Sequence, residues 1–221
     1  MIPALRYTLL TDGSSDRSFQ PILTWLLRIY VTEIPIVPQF ADLRSLPNPP
    51  RGLSNRILTS LDLFPCDLLF VHRDAEREPT TARIREIRDA EASVQNSTNL
   101  PPIICVIPIR MLEAWLLFDE QALRAAAGNP RGHNPLPLPR MSDVESIPDP
   151  KVLLFDCIRT ATELPSRRLR TDRIRQYAYR LAEYIDDYAP LRQLSAFVAL
   201  EQDVQTLVVQ QGWNARGLQE S

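Results

Sequence analysis

Apolar residues recur along this chain in two rhythms, and each predicts a different kind of element. Arg6-Tyr7-Thr8-Leu9-Leu10 is a short β-rich run that ends at Thr11-Asp12-Gly13, which reads as a strand followed by a tight turn. Asp67 to His72 and Ile103 to Ile107 are apolar without alternation. Such runs fit strands buried on both faces, as in parallel sheets. Ile34 to Phe40 predicts a further strand, interrupted by Pro35 and Pro38. Between these runs the spacing changes to three and four. Phe19, Ile22, Leu23, Leu26, Leu27 and Tyr30 mark one face of an amphipathic helix with Pro21 in its first turn. Leu53, Ile57, Leu58 and Leu61 predict a second helix, and the charged stretch 79–96 a solvated third. Met111 to Ala127 predicts another, closed by Gly128-Asn129-Pro130.

Strand, helix, strand, helix, strand, helix, strand is the order of an α/β domain with a mainly parallel sheet flanked by helices. That domain is expected over residues 1–127. A proline-rich irregular loop follows over 128–150, and then a helical C-terminal extension over 151–221, packed on the same core.

Composition narrows the class. The 221 residues are 44% hydrophobic and 24% charged, as in ordinary globular proteins. No apolar run approaches the ~20 residues that span a bilayer. The first eleven residues lack the pattern of a signal peptide, so no membrane and a cytoplasmic location are expected. The net charge of −2 gives no global reason to expect nucleic acid. Lys151 is the only lysine, so no mechanism can use a lysine before it. Cys66, Cys105 and Cys157 are scattered and suit buried thiols in a reducing compartment. P-loop, dinucleotide-fingerprint and nucleophile-elbow motifs are absent from the sequence.

The acids carry the chemistry. In an open parallel sheet, ligands bind beyond the carboxyl ends of the strands. Asp12 and Asp16 follow the first strand, Asp74 and Glu76 the 67–72 strand, and Glu113 the 103–107 strand. Crowded carboxylates repel unless protons or cations intervene, and a hard divalent ion is the usual answer. In an extended segment, Asp74 and Glu76 at i and i+2 share one side. Turn chemistry, or an N-cap in the case of Asp16, is the competing account of each acid taken singly. His72 is expected as a hydrogen-bonded core residue, Trp115 as core, and His133 as a solvated loop residue.

Thr11-Asp12-Gly13-Ser14-Ser15-Asp16 before an amphipathic helix resembles the Glu-Gly-x-x-Asp element of Toprim domains. Val71 to Glu76 resembles their strand-terminal Asp-x-Asp. Glu113-Ala114-Trp115-Leu116-Leu117 is similar to a run in uncharacterised bacterial Toprim-like proteins, and Toprim domains also occur in the overcoming-lysogenisation-defect nucleases. The resemblance covers roughly residues 5–120. It implies a Toprim-like fold and a nuclease using Mg²⁺ or Mn²⁺, with Asp12, Asp74, Glu76 and Glu113 as catalytic and metal-binding acids. It also implies a role in phage defence beside a separate ATPase. Two departures stand out: Asp12 replaces the family's glutamate, and Glu76 its second aspartate. Catalytic geometry is sensitive to shifts of about 1 Å, so the same substitutions fit a non-catalytic adaptor that binds a partner ATPase or nucleic acid. A small-molecule phosphohydrolase on an unrelated sheet is a third reading. Arg73 and Arg110 suit substrate phosphate, or else pair with the same acids.

Residues 167–180 hold six arginines, one acid and two tyrosines. That mixture fits a helix contacting the phosphates of DNA or RNA, with Arg168, Arg170 and Arg173 as the expected contacts. The competing account is a solvated amphipathic helix.

Overall fold

A computed structural model describes residues 3–96 and 99–214. Four strands form one sheet: β1 (Leu5–Leu10), β2 (Ile36–Ala41), β3 (Leu68–His72) and β4 (Ile103–Val106). They run parallel in the order β2-β1-β3-β4. Parallel neighbours need crossovers, and helices provide them. The helices are α1 (Phe19–Tyr30), α2 (Leu53–Leu63) and α3 (Thr80–Val94). The chain is therefore an α/β protein with further helices toward its C-terminus.

The unbroken apolar runs end where the burial is greatest. Every residue of β3 and β4 is buried, and in β1 only Arg6 is exposed. Two polar side chains in β1 are satisfied internally. The Tyr7 hydroxyl donates to Gln20 O (3.0 Å) and lies 2.7 Å from Thr24 Oγ1, while Thr8 Oγ1 donates to Phe64 O at 2.8 Å. Burial pushes the Tyr7 phenol far above its ordinary range. β2 is an edge strand, where Pro38 can sit because a ladder donor is dispensable there.

α1 buries Phe19, Ile22, Leu23, Leu26 and Leu27 completely, each worth about 1.5–3 kcal/mol relative to exposure. A 3₁₀ turn, Ser14–Ser18, leads into it, and Asp16 Oδ2 accepts from Gly13 N at 3.0 Å. α3 buries only Ile87, Ala90 and Val94, as a solvated crossover helix should.

The chain divides into two compact units. The first takes in residues 1–73, 78–107 and the chain from Ala199 onward, and so contains the whole sheet. The second comprises 74–77 and 108–198. One passage between the units falls at Ile107/Pro108, just after β4.

The second unit contains α4 (Glu120–Ala126), α5 (Pro150–Thr162) and α6 (Thr171–Arg180), and α7 (Ser195–Gln210) begins in it. Its core includes Trp115 packed edge-on against Phe197, with ring centroids 5.4 Å apart. Leu154, Cys157, Ile158, Leu181 and Leu191 of the same unit are fully buried. The single helix expected over Met111–Ala127 is two elements, a 3₁₀ turn at Leu112–Leu116 and then α4. The reason is a cap: Asp119 accepts from Ala122 N at 2.9 Å and restarts the helix. The 128–150 loop also contains a 3₁₀ turn, Met141–Ser146. α5 begins with Pro150 at its first position and Asp149 capping Val152 N at 3.0 Å. Among the described residues no helix is long and apolar enough to cross a membrane.

Candidate functional site

In the first unit, Asp12 stands two residues beyond β1 and Arg73 directly beyond β3, at the carboxyl edge of adjacent strands. Two guanidinium groups meet the Asp12 carboxylate, Arg56 on Oδ1 and Arg73 on Oδ2. Arg56 also donates to Thr11 O. Arg73 Nη2 pairs with Glu86 Oε1 at 2.9 Å, and Glu86 Oε2 lies 3.3 Å from Arg83 Nη1. The result is a line of alternating charges, Arg56, Asp12, Arg73, Glu86 and Arg83. Three cations face two anions. The Asp12 side chain is 40% exposed and its arginines 16% and 21%, so the line is open to solvent at the acid.

The helices that follow β2 and β3 supply Arg56 and Arg83, and Arg73 comes from just beyond the end of β3. In a parallel sheet every crossover helix starts at the carboxyl edge, so its first turn faces the ligand side. Arg56 is the fourth residue of α2 and Arg83 the fourth of α3. Gly52 precedes α2 with φ of 76°, a left-handed conformation that glycine adopts without strain. Arg56 was not foreseen from the sequence. Its signal was topological: an arginine in the first turn of a crossover helix.

Asp16 acts locally. Besides capping Gly13 N, its Oδ2 lies 3.5 Å from His72 Nδ1. His72 is buried and packs against Phe19 with ring centroids 4.5 Å apart, as a core histidine.

Asp74, Glu76, Arg110 and Glu113 belong to the second unit. There the segments after β3 and β4 stay paired: Ala75 N donates to Pro108 O (3.2 Å) and Glu76 N to Arg110 O (2.9 Å). Glu76 and Arg110 both have left-handed backbones, with φ of 54° and 70°. Arg110 Nη1 returns a bond to Glu76 O at 3.4 Å. A non-glycine residue in that region costs on the order of 1–2 kcal/mol, and such strain gathers at functional sites. It also corrects one expectation. Alternation placing Asp74 and Glu76 on one side requires extended backbone, and Glu76 instead sits in a turn. Glu113, largely buried, meets Lys151 at 3.1 Å. The chain's only lysine, in the first turn of α5, is thus an ion-pair partner.

The structure therefore brings Asp12 together with Arg73, and Glu76 with Arg110. Among the described residues, no group of three or more His, Cys, Asp or Glu side chains is gathered so as to hold a metal ion. Guanidinium groups take both oxygens of Asp12, and an ammonium faces Glu113.

The basic stretch is a surface. Arg167, Arg168, Arg170, Arg173, Arg175 and Arg180 are all exposed, and within α6 only Ile174 is buried. The acids near them pair loosely, Asp172 with Arg170 at 3.6 Å and Glu183 with Arg180 at 3.9 Å. Burial pushes the Cys105 and Cys157 thiols up to about 11 and raises that of Cys66 as well, which disfavours the thiolate form. No family model matches the chain, and no curated protein or solved structure matches it either.

Proposed function

We propose that this protein is a cytoplasmic, Toprim-like nucleic-acid-binding adaptor that recognises phosphate at the carboxyl edge of its sheet through Arg56 and Arg73. The observation that carries this reading is the pair of guanidinium groups on the two oxygens of one carboxylate. Guanidinium forks suit phosphate and carboxylate alike, so Asp12 stands where a phosphodiester oxygen pair would bind. The exposed arginines of residues 167–180 add affinity that ignores sequence. In this reading any catalytic step belongs to a partner, such as a separate ATPase.

The test is oligonucleotide binding by fluorescence anisotropy. Arg56→Gln should weaken binding about tenfold, the scale of one charge-assisted hydrogen bond. Wild-type protein that binds neither DNA nor RNA at low salt would overturn the reading.

The second reading is metal-dependent phosphodiester hydrolysis by Asp12, Asp74, Glu76 and Glu113. The observation favouring it is the facing left-handed pair, Glu76 and Arg110. Cleavage of single- or double-stranded substrate that requires Mg²⁺ or Mn²⁺ and is lost in Asp74→Asn would establish it in place of the adaptor.

A further inference from the structure

Helix α6 and the turn after it carry more than positive charge. Arg173, Arg175, Gln176, Tyr179 and Arg180 all reach solvent. Residues four apart share a helix face, so Arg175 lies beside Tyr179. The combination recurs one turn later. The Arg180 guanidinium sits 5.6 Å from the centre of the Tyr184 ring, and its Nη2 donates to the Tyr184 hydroxyl at 2.9 Å. The two tyrosines are 39% and 36% exposed. Both tyrosines thus reach solvent in part, Tyr184 with Arg180 over its ring and Tyr179 with Arg175 on the same helix face.

The rings discriminate between partners. Duplex phosphates or an acidic protein surface would engage the arginines and leave the rings unused. Stacked bases use both, since each base has a π-face and arginine adds a cation–π contribution. Base faces are available only where the strand is unpaired. The charge is complementary as well, with six arginines against Asp172 in residues 167–180.

We propose that α6 and the turn at Leu181–Tyr184 form a binding surface for single-stranded nucleic acid. Tyr179 and Tyr184 are its stacking platforms, and Arg173, Arg175 and Arg180 its phosphate contacts. The proposal rests on the nucleic-acid reading above and adds the strand type.

The experiment measures anisotropy of the full chain with labelled oligothymidylate and with a duplex of equal length. The wild type should bind the single strand more tightly. The Tyr179→Leu/Tyr184→Leu variant should lose about tenfold or more on the single strand, with duplex binding and thermal unfolding unchanged. Tyr184→Phe keeps the ring, loses the bond to Arg180, and should bind as wild type does. Tyr184→Trp should bind at least as well, with its added fluorescence quenched by the oligonucleotide. These two variants carry the test if the leucine pair perturbs folding. Equal wild-type affinity for both strand types, a folded Tyr179→Leu/Tyr184→Leu variant that binds the single strand as wild type does, or a Tyr184→Trp fluorescence that the oligonucleotide leaves unquenched would overturn this inference and leave the nucleic-acid reading standing. Binding of neither would overturn both.

Discussion

The edge of the sheet and the surface of α6 are both rich in arginine, yet their arginines are in opposite states. At the sheet edge each guanidinium is matched: Arg56 and Arg73 hold Asp12, and Arg73 and Arg83 hold Glu86. On α6 the guanidinium groups outnumber the acids and stand in solvent. A matched arginine contributes to the fold and can bind a phosphate only by giving up a partner. A loosely paired one costs the fold little when a phosphate takes it. The count of arginines says little about function until each partner is known.

The largest expected effect tests the solvent-facing set, where pairing is loose, as between Arg170 and Asp172 at 3.6 Å. Arg168→Gln, Arg170→Gln and Arg173→Gln together should reduce the slope of log affinity against log salt by about 2–3, at roughly 0.7–0.9 per phosphate contact. Thermal unfolding should not move. A slope that stays put would make this stretch a solvated face of the fold.

Arg73→Gln should behave differently because it touches both functions. It removes one partner from Asp12 and one from Glu86, although Arg56 and Arg83 remain. Unfolding free energy should fall by about 1 kcal/mol, the range of partly exposed ion pairs and charged hydrogen bonds. Oligonucleotide affinity should fall about tenfold in the same variant. Weakened binding with unchanged stability would mean that Arg73 contributes as little to the fold as the loosely paired arginines of residues 167–180.

Asp12→Asn sharpens the contrast, since it removes the competitor rather than the receptor. Under the adaptor reading, affinity for oligonucleotide should rise a few-fold and become more salt-dependent. Under the hydrolysis reading, cleavage should disappear. One variant with opposite expected signs separates the two accounts.

The fold was legible where burial alone decides the pattern. β3 and β4 are unbroken apolar runs because both their faces are covered, and α1 is a clean stripe because one of its faces is. His72 and Trp115 were legible as core for the same reason. The break between Leu112–Leu116 and α4 was not, because 3₁₀ and α turns both repeat apolar positions at about three residues and Asp119 gives no strong signal of its own. The acids beyond the strand ends could be named, and Arg73 as an alternative partner for them, but their other partners could not. Arg56 reaches Asp12 from 44 residues away, and Lys151 reaches Glu113 from the start of another helix. Pairing across such separations is set by topology, which no local pattern encodes. The left-handed backbone at Glu76 was hidden too, because glycine, the usual marker of that conformation, is not there.

The smallest expected effect concerns a carboxylate matched by neutral donors. Glu163 ends α5 in a left-handed conformation, φ 54°, and its Oε1 accepts from Asn134 N at 2.7 Å and His133 N at 2.5 Å. The Asn134 amide above all, then that of His133, holds this carboxyl below the usual glutamate range. The sign follows from that direction. The folded value lies under the unfolded one, so the contribution is complete above the ordinary glutamate range and is lost as pH falls through the folded value. Glu163→Gln keeps an acceptor oxygen but not the charge. It should unfold slightly earlier than wild type at neutral pH, and the gap should close in acid. The donors here are backbone amides rather than guanidinium groups, so added salt should change the gap less than it changes the cost of Arg73→Gln. A gap that persists unchanged into acid would place the role of Glu163 in its backbone shape instead. Glu163→Gly, which adopts that shape freely, would then be the better-folded variant.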